Sequence, residues 1–449
     1  MRKTVAALTT AAALAALTAH SVSGAAPSAP AGPRWGEPVL LTIDKYFGGY
    51  EPSITVDRFN NVFVTAHKQN HGLVLSPDSR SATKTRSQSW LWTSKDGKQF
   101  TDMPGLTPLD EQNGLFGVEG DLAADEAGGL YFVDTNVTDN SVTRYRTTGN
   151  GKVAFEMSRP AGPFGEPVDD RPWIAAHGDG VVLYIGNNGD RNYPLGQTGD
   201  GEANGPGRYT AYMSYDGGDS FDLTGFTFAD SGWCRPAADH RKGSKDLYVL
   251  CTNDAPSGEQ KPGGNGTIWA YSSHDDGASW TRTRVSGYDS NDPNDTYPWV
   301  GVGPNGWVYA LYNETRTVDG VRGSQLKVFV SKNGGRTWST SLVQHPAGVI
   351  RYSSLDVAND GTVGIAYYYR ENGTQPWHVY AATAKPGKRF VPSKVSETPI
   401  ASRSNSAPFG DFFQIAFGPD RKLNVVYTSM NTDLQAEGLN TDIYFVRQK

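Results

Sequence analysis

One short polar segment recurs along this chain at nearly constant spacing, and that spacing limits the folds open to it. SYDGGDSF stands at 214–221, SHDDGASW at 273–280 and SKNGGRTW at 331–338. The first serines lie 59 and 58 residues apart, and a shortened copy, SKDGKQF from Ser94, lies 120 residues before Ser214, about two periods. A repeat of this length is one supersecondary unit, stacked so that neighbours bury faces that no unit buries alone.

The box reads as a hairpin turn. Apolar runs such as 268–271 and 326–330 precede it and short polar strands follow. Its Ser and Asp side chains are suited to hydrogen-bond turn amides. Gly218, Gly277 and Gly335 permit positive φ, and the closing Phe221, Trp280 or Trp338 can pack between sheets. This chemistry makes the box a folding element, not a catalytic one.

Each box ends a longer unit whose head is also regular: an apolar strand, a turn such as GPNG or ANDG, and a second apolar strand. Seven heads begin near Pro52, Asp121, Pro172, Pro236, Pro298, Ser353 and Asp411. The last lacks a fourth strand, and the extended segment 37–42, EPVLLT, has no head of its own. Pairing that segment beside the C-terminal strand removes an exposed sheet edge. The expected fold is therefore all-β: one propeller of seven four-stranded blades over 35–449, closed by the N-terminal strand, or six blades if 119–156 is an insertion. Gly 52, Pro 27 and 11% aromatic residues agree with many short strands and tight turns.

The first 25 residues read as an export signal: a basic start at Arg2 and Lys3, an Ala/Leu-rich core over 5–19, and small residues at 23–25. A flexible lead-in is expected over 26–34. Loss of Arg2 and Lys3 takes the formal charge from −6 to −8, and no basic stripe appears. Nucleic acid is therefore a poor partner, no later segment is long enough to span a bilayer, and a monomer is expected. In an exported chain Cys234 and Cys251, flanking a hairpin, read as a local disulfide.

The pattern S-x-D-x-G-x-[ST]-[WF], repeated about every 60 residues, resembles the Asp-box repeat of sialidase-like β-propellers. The resemblance implies a glycan-processing protein; no cofactor is expected, and no residue pattern in the chain points to a metal site. The segment 322–369 resembles the end of a sialidase catalytic domain, in which a carboxylate-binding arginine precedes a box and a nucleophilic tyrosine follows in Y-S-[SDT]-L. Arg322 matches that arginine and Tyr352 the tyrosine. The family's first-blade arginine motif is not matched, since the strand entry there reads YEPSI with Glu51.

In a propeller the inner-strand entries and second-strand exits open on one face. These positions form a polar list: Glu51, Asp121, Asp170, Arg171, Arg235, Tyr297, Arg351 and Asp411 at entries, with His67 at an exit. Arginine forks suit a carboxylate, carboxylates suit hydroxyls and aromatic faces suit a sugar ring. One reading is an exo-glycosidase that releases a terminal acidic sugar. In it Tyr352 is the nucleophile, Arg322 with Arg235 or Arg351 the anion clamp, and Glu51, Asp121 or Asp170 the acid/base group. A uronate-directed lyase would use similar parts, and a non-catalytic propeller could hold a glycan or a protein loop on the same face.

Overall fold

The computed structural model describes residues 32–42, 47–70, 89–104, 120–136, 139–162, 170–188, 208–228, 233–253, 264–290, 298–318, 321–344, 348–371, 375–401, 410, 412–430 and 441–449. The expected leader and most of the lead-in lie outside them.

Seven four-stranded antiparallel sheets follow one another along the chain, and no helix occurs among the described residues. Blades 1 to 6 span 47–102, 120–160, 170–227, 233–290, 299–344 and 349–394, each with its strands in sequence order. Blade 7 takes three strands from 415–447 and a fourth from Val39–Leu40, with Val39 opposite Phe445 and Leu40 opposite Tyr444. The N-terminal segment is thus the closing strand. Pro33 and Arg34, at the end of the expected lead-in, are tied down as well: the Pro33 carbonyl accepts Ser393 Oγ and the Arg34 carbonyl accepts Lys449 N. The region 119–156, an insertion in the six-blade alternative, forms blade 2.

The core is divided into seven apolar clusters, one between each pair of adjacent blades. Blades 7 and 1 share Val426, Ile443 and Phe445 with Ile54 and Val64, which closes the ring by packing as well as by hydrogen bonding. Polar residues fall on the outer strands, as in blade 3, where Asp222–Thr227 is exposed along most of its length.

All four boxes are turns between third and fourth strands. In blade 4 Ser273 Oγ donates to Asp275 Oδ1 at 2.8 Å and accepts Gly277 N at 2.8 Å, while Asp275 accepts Ser279 N at 2.9 Å. Blade 3 repeats this with Ser214, Asp216, Gly218 and Ser220, and blade 5 with Ser331, Asn333, Gly335 and Thr337. The three glycines take φ of 81°, 84° and 82°, a region costly for any side chain. Phe221, Trp280 and Trp338 each pack into the cluster shared with the preceding blade. The box therefore ties each hairpin to its neighbour, and its carboxylates serve the turn.

Candidate active site

The inner strands are Phe47–Val56, Asp170–His177 and Val349–Val357 in blades 1, 3 and 6, and Gly120–Ala124, Trp233–Ala238, Trp299–Val302 and Ile415–Phe417 in blades 2, 4, 5 and 7. The ladders of blades 1, 3 and 6 slip at their entry ends, between Tyr50 and Ser53, Asp170 and Trp173, and Arg351 and Ser353. Inside each slip stands a non-glycine residue in the left-handed region: Glu51 at φ 52°, Arg171 at 56° and Tyr352 at 45°. Such backbone costs on the order of 1–2 kcal/mol per residue. A bulge re-aims the side chain that it carries, and all three strained residues are at one end of the channel.

These residues are linked. Glu51 Oε2 lies 3.2 Å from His67 Nε2, both side chains being buried. Burial and the positive charge of Arg171 lower the His67 pKa to about 3, so the imidazole is neutral at physiological pH. The Tyr50 ring lies 4.3 Å from that of His67. The Glu51 charge also reaches Tyr368, whose phenol burial pushes well above its ordinary pKa. Tyr368 meets Tyr352 edge-on at 6.2 Å. On the other side, the Arg171 guanidinium lies 4.2 Å from the Trp233 ring. Arg351 and Arg370 both lie over Trp377, at 5.6 and 4.7 Å. Ser353, beside Tyr352, donates to Asn313 Oδ1 of blade 5 at 3.0 Å.

Below this mouth a second layer crosses the channel. The Arg235 guanidinium lies 3.1 Å from the centre of the Trp173 ring, 4.0 Å from Trp299 and 4.9 Å from Phe412, so one cation meets rings from blades 3 and 5 and from the start of blade 7. Asp121 Oδ2 lies 3.9 Å from Arg235 and accepts Ile174 N at 3.2 Å, and Oδ1 accepts Gln414 Nε2 at 2.7 Å. Burial raises the Asp121 pKa against the pull of Arg235 and these donors. Gln414 in turn accepts Ile54 N at 3.1 Å, so this layer hydrogen-bonds the inner strands of blades 1, 2, 3 and 7.

The structure thus brings Glu51, His67 and Arg171 together, links Tyr352 to Glu51 by way of Tyr368, and sets Arg351 with Arg370 over Trp377. Asp121 and Arg235 face each other in the layer beneath. The backbones of Asp170 and Arg322 lie in strands, but their side chains, like Tyr297 and Asp411, lie outside the described residues. Cys234 and Cys251 are cross-strand partners in blade 4 and form a disulfide. Sequence reasoning missed Tyr368, Gln414 and the aromatic partners of the arginines. The repeated Pro-Trp at 172–173 and 298–299 was the available sign of those rings.

No group of three or more His, Cys, Asp or Glu among the described residues is arranged to hold a metal ion. None of the described residues forms a helix long and apolar enough to cross a membrane.

No protein-family model matches the chain. No curated protein sequence matches it either. Among solved structures, a Dyadobacter fermentans protein of unknown function is similar at 14% identity and TM-score 0.48, over 93% of this chain and 100% of that one. The Penicillium chrysogenum alpha-L-arabinanase complexed with arabinobiose is similar at 12% identity and TM-score 0.45, over 92% and 98%. The intramolecular trans-sialidase of Ruminococcus gnavus in complex with oseltamivir carboxylate is similar at 12% identity and TM-score 0.42, over 91% and 96%.

Proposed function

We propose that this protein is a secreted glycan-processing hydrolase that releases a terminal acidic sugar at the strand-entry mouth of the propeller. The observation that carries the reading is the set of three left-handed, non-glycine residues, Glu51, Arg171 and Tyr352, at bulges of three inner strands. Strain of this kind persists where a site needs the side chain in that place. The buried imidazole of His67 against Glu51 supplies a second feature of a working site.

Each residue has a role in this reading. Arg171 and Arg351 pair with the sugar carboxylate. Tyr352 Oη attacks the anomeric carbon, its proton passing to Glu51 through the Tyr368 side of the mouth, while the glycosidic oxygen leaves with a proton from Asp170. Water then attacks the glycosyl-tyrosine carbon and gives its proton to Asp170, while Glu51 returns the proton it took to the phenolic oxygen, which restores both groups. A tyrosine suits this step because a neutral phenol approaches an anionic sugar without the repulsion that a carboxylate meets. Arg235 and Asp121 hold the floor beneath. Export is proposed from the N-terminal leader, and the disulfide agrees with an oxidising compartment.

The test is hydrolysis of a fluorogenic sialoside by residues 26–449, beside Tyr352→Phe and Glu51→Gln, with an aryl arabinofuranoside as neutral counterpart. Turnover of the sialoside that falls about 10³-fold or more in Tyr352→Phe is the expected result. Equal turnover by wild type and Tyr352→Phe removes the mechanism, and preference for the neutral sugar removes the acidic substrate. A binding propeller is the second reading, favoured by Tyr352 being only 7% exposed. Glycan capture without turnover would establish it.

A further inference from the structure

On the far side of the Arg235 layer, the channel widens into a chamber of about 640 Å³ lined by the exit ends of all seven inner strands. Its wall is regular. Each inner strand ends in a tight turn, and equivalent turn residues donate their amide to the start of the next strand, as in Asp57 to Asn61, Asp125 to Gly129, Gly303 to Trp307 and Ala358 to Thr362. Two residues before these turns, the blades present Thr55, Ala123, Ala175, Ala237, Gly301 and Ala416, all small. Blade 6 alone places a carboxylate in this ring, Asp356.

Small side chains leave the space, and Asp356 gives it a charge. Six carboxylates and three arginines line the chamber. Most are committed elsewhere: Arg235 faces Asp121, Arg241 pairs with Asp239, Arg58 donates to the Glu126 and Ala127 carbonyls, and Asp57 and Asp125 accept turn amides. Glu126 and Asp356 remain. His240 projects into the chamber with 57% of its side chain exposed and hydrogen-bonds Glu126, and the negative charge of Asp356 also reaches it. Burial works against the imidazolium of His240, but the hydrogen bond and charge of Glu126 and the charge of Asp356 outweigh it and raise its pKa, while that of Glu126 is lowered. Asp356 accepts Phe417 N at 2.5 Å, and burial raises its carboxyl to about 6, so it is ionised at pH 7.5. The six carboxylates outnumber the three arginines and His240, so the chamber is negative, and Asp356 faces it among small walls.

We infer that this chamber is a second binding site, distinct from the entry mouth, for a small organic cation carrying an ammonium group. Asp356 would take the ammonium, Glu126 would accept a further donor, and the alanine ring would cover the carbon chain. A carboxylate in a low-dielectric concavity focuses negative potential and selects cations over neutral molecules of the same shape. This inference stands apart from the hydrolase reading, because none of Glu51, His67, Arg171 or Tyr352 lines the chamber.

Calorimetric titration at pH 7.5 with n-butylammonium, and with n-butanol as the neutral probe of equal size, tests it. Wild type and Tyr352→Phe are expected to bind the ammonium and not the alcohol, and Asp356→Asn to lose at least tenfold in affinity. Asparagine keeps an acceptor for Phe417 N, and circular dichroism verifies that the variant is folded; Glu126→Gln provides a second, weaker loss. Equal binding of n-butanol, unchanged affinity in Asp356→Asn, or no binding to wild type would each overturn the proposal. Displacement of the ammonium by calcium at equimolar concentration would overturn it in favour of a metal.

Discussion

His67 Nε2 and Glu51 Oε2 are 3.2 Å apart in a buried pocket, and the imidazole is held neutral although a carboxylate adjoins it. The stability consequence has a definite sign. With a folded pKa of about 3 against 6.5 when unfolded, the unfolded chain binds more protons at this site between those values. This contribution to stability is fully present above pH 6.5 and declines as pH falls through the window, by at most about 1.4 kcal/mol per pH unit. Urea midpoints from pH 4 to 7 for wild type and His67→Gln should converge toward the acid end. Parallel curves would show that His67 titrates normally.

The Arg235 layer makes a prediction about pairing. Arg235→Met keeps volume but leaves Asp121 buried without its cation, and should cost about 3–5 kcal/mol in denaturant unfolding. Adding Asp121→Asn to Arg235→Met removes the stranded charge and should recover a large part of that loss. The double-mutant cycle reports the coupling directly. If the two costs simply add, the pair is not the element that holds this layer.

The ring and its closure were legible in the sequence because they rest on local rules. Seven strand-turn-strand heads, positive-φ glycines in the boxes and an unpaired segment at 37–42 are each visible within a few residues. The bulges were not. An extended pattern such as YEPSI gives no sign that Glu51 leaves the ladder, since alternation reports which face a side chain takes and says nothing of φ. Nor was the Arg235 cage legible, because its rings come from Trp173, Trp299 and Phe412, up to 239 residues apart in the chain. The Asp356 position could have been found. Aligning the heads on their turns places one aspartate in a column of alanine, glycine and threonine.

A structural role for the boxes has its own signature. Ser273→Ala removes a hydroxyl that donates to Asp275 and accepts Gly277 N, and should cost about 1–2 kcal/mol. Ser214→Ala and Ser331→Ala should cost similar amounts, since they lose the same two bonds. Hydrolysis or ligand binding at the entry mouth should not change in any of the three. A box variant that keeps its stability but loses turnover would move the boxes into the site.

Strain at the mouth can be separated from side-chain chemistry by two substitutions at one position. Glu51→Ala and Glu51→Gly both remove the carboxylate and its contact with His67, and differ by one methyl group. At φ 52° that methyl carries the left-handed cost, whereas glycine adopts this backbone freely. In an ordinary strand, alanine is the more stable of the two, because glycine loses more chain entropy on folding. Here the order should reverse, with Glu51→Gly more stable than Glu51→Ala by about 1 kcal/mol in urea unfolding. Both variants should be inactive in the hydrolase assay. Together these results would mean that the native chain gives up stability at this bulge to aim a carboxylate into the mouth. The usual order, alanine above glycine, would mean that the bulge is relaxed and that Glu51 stands there without strain.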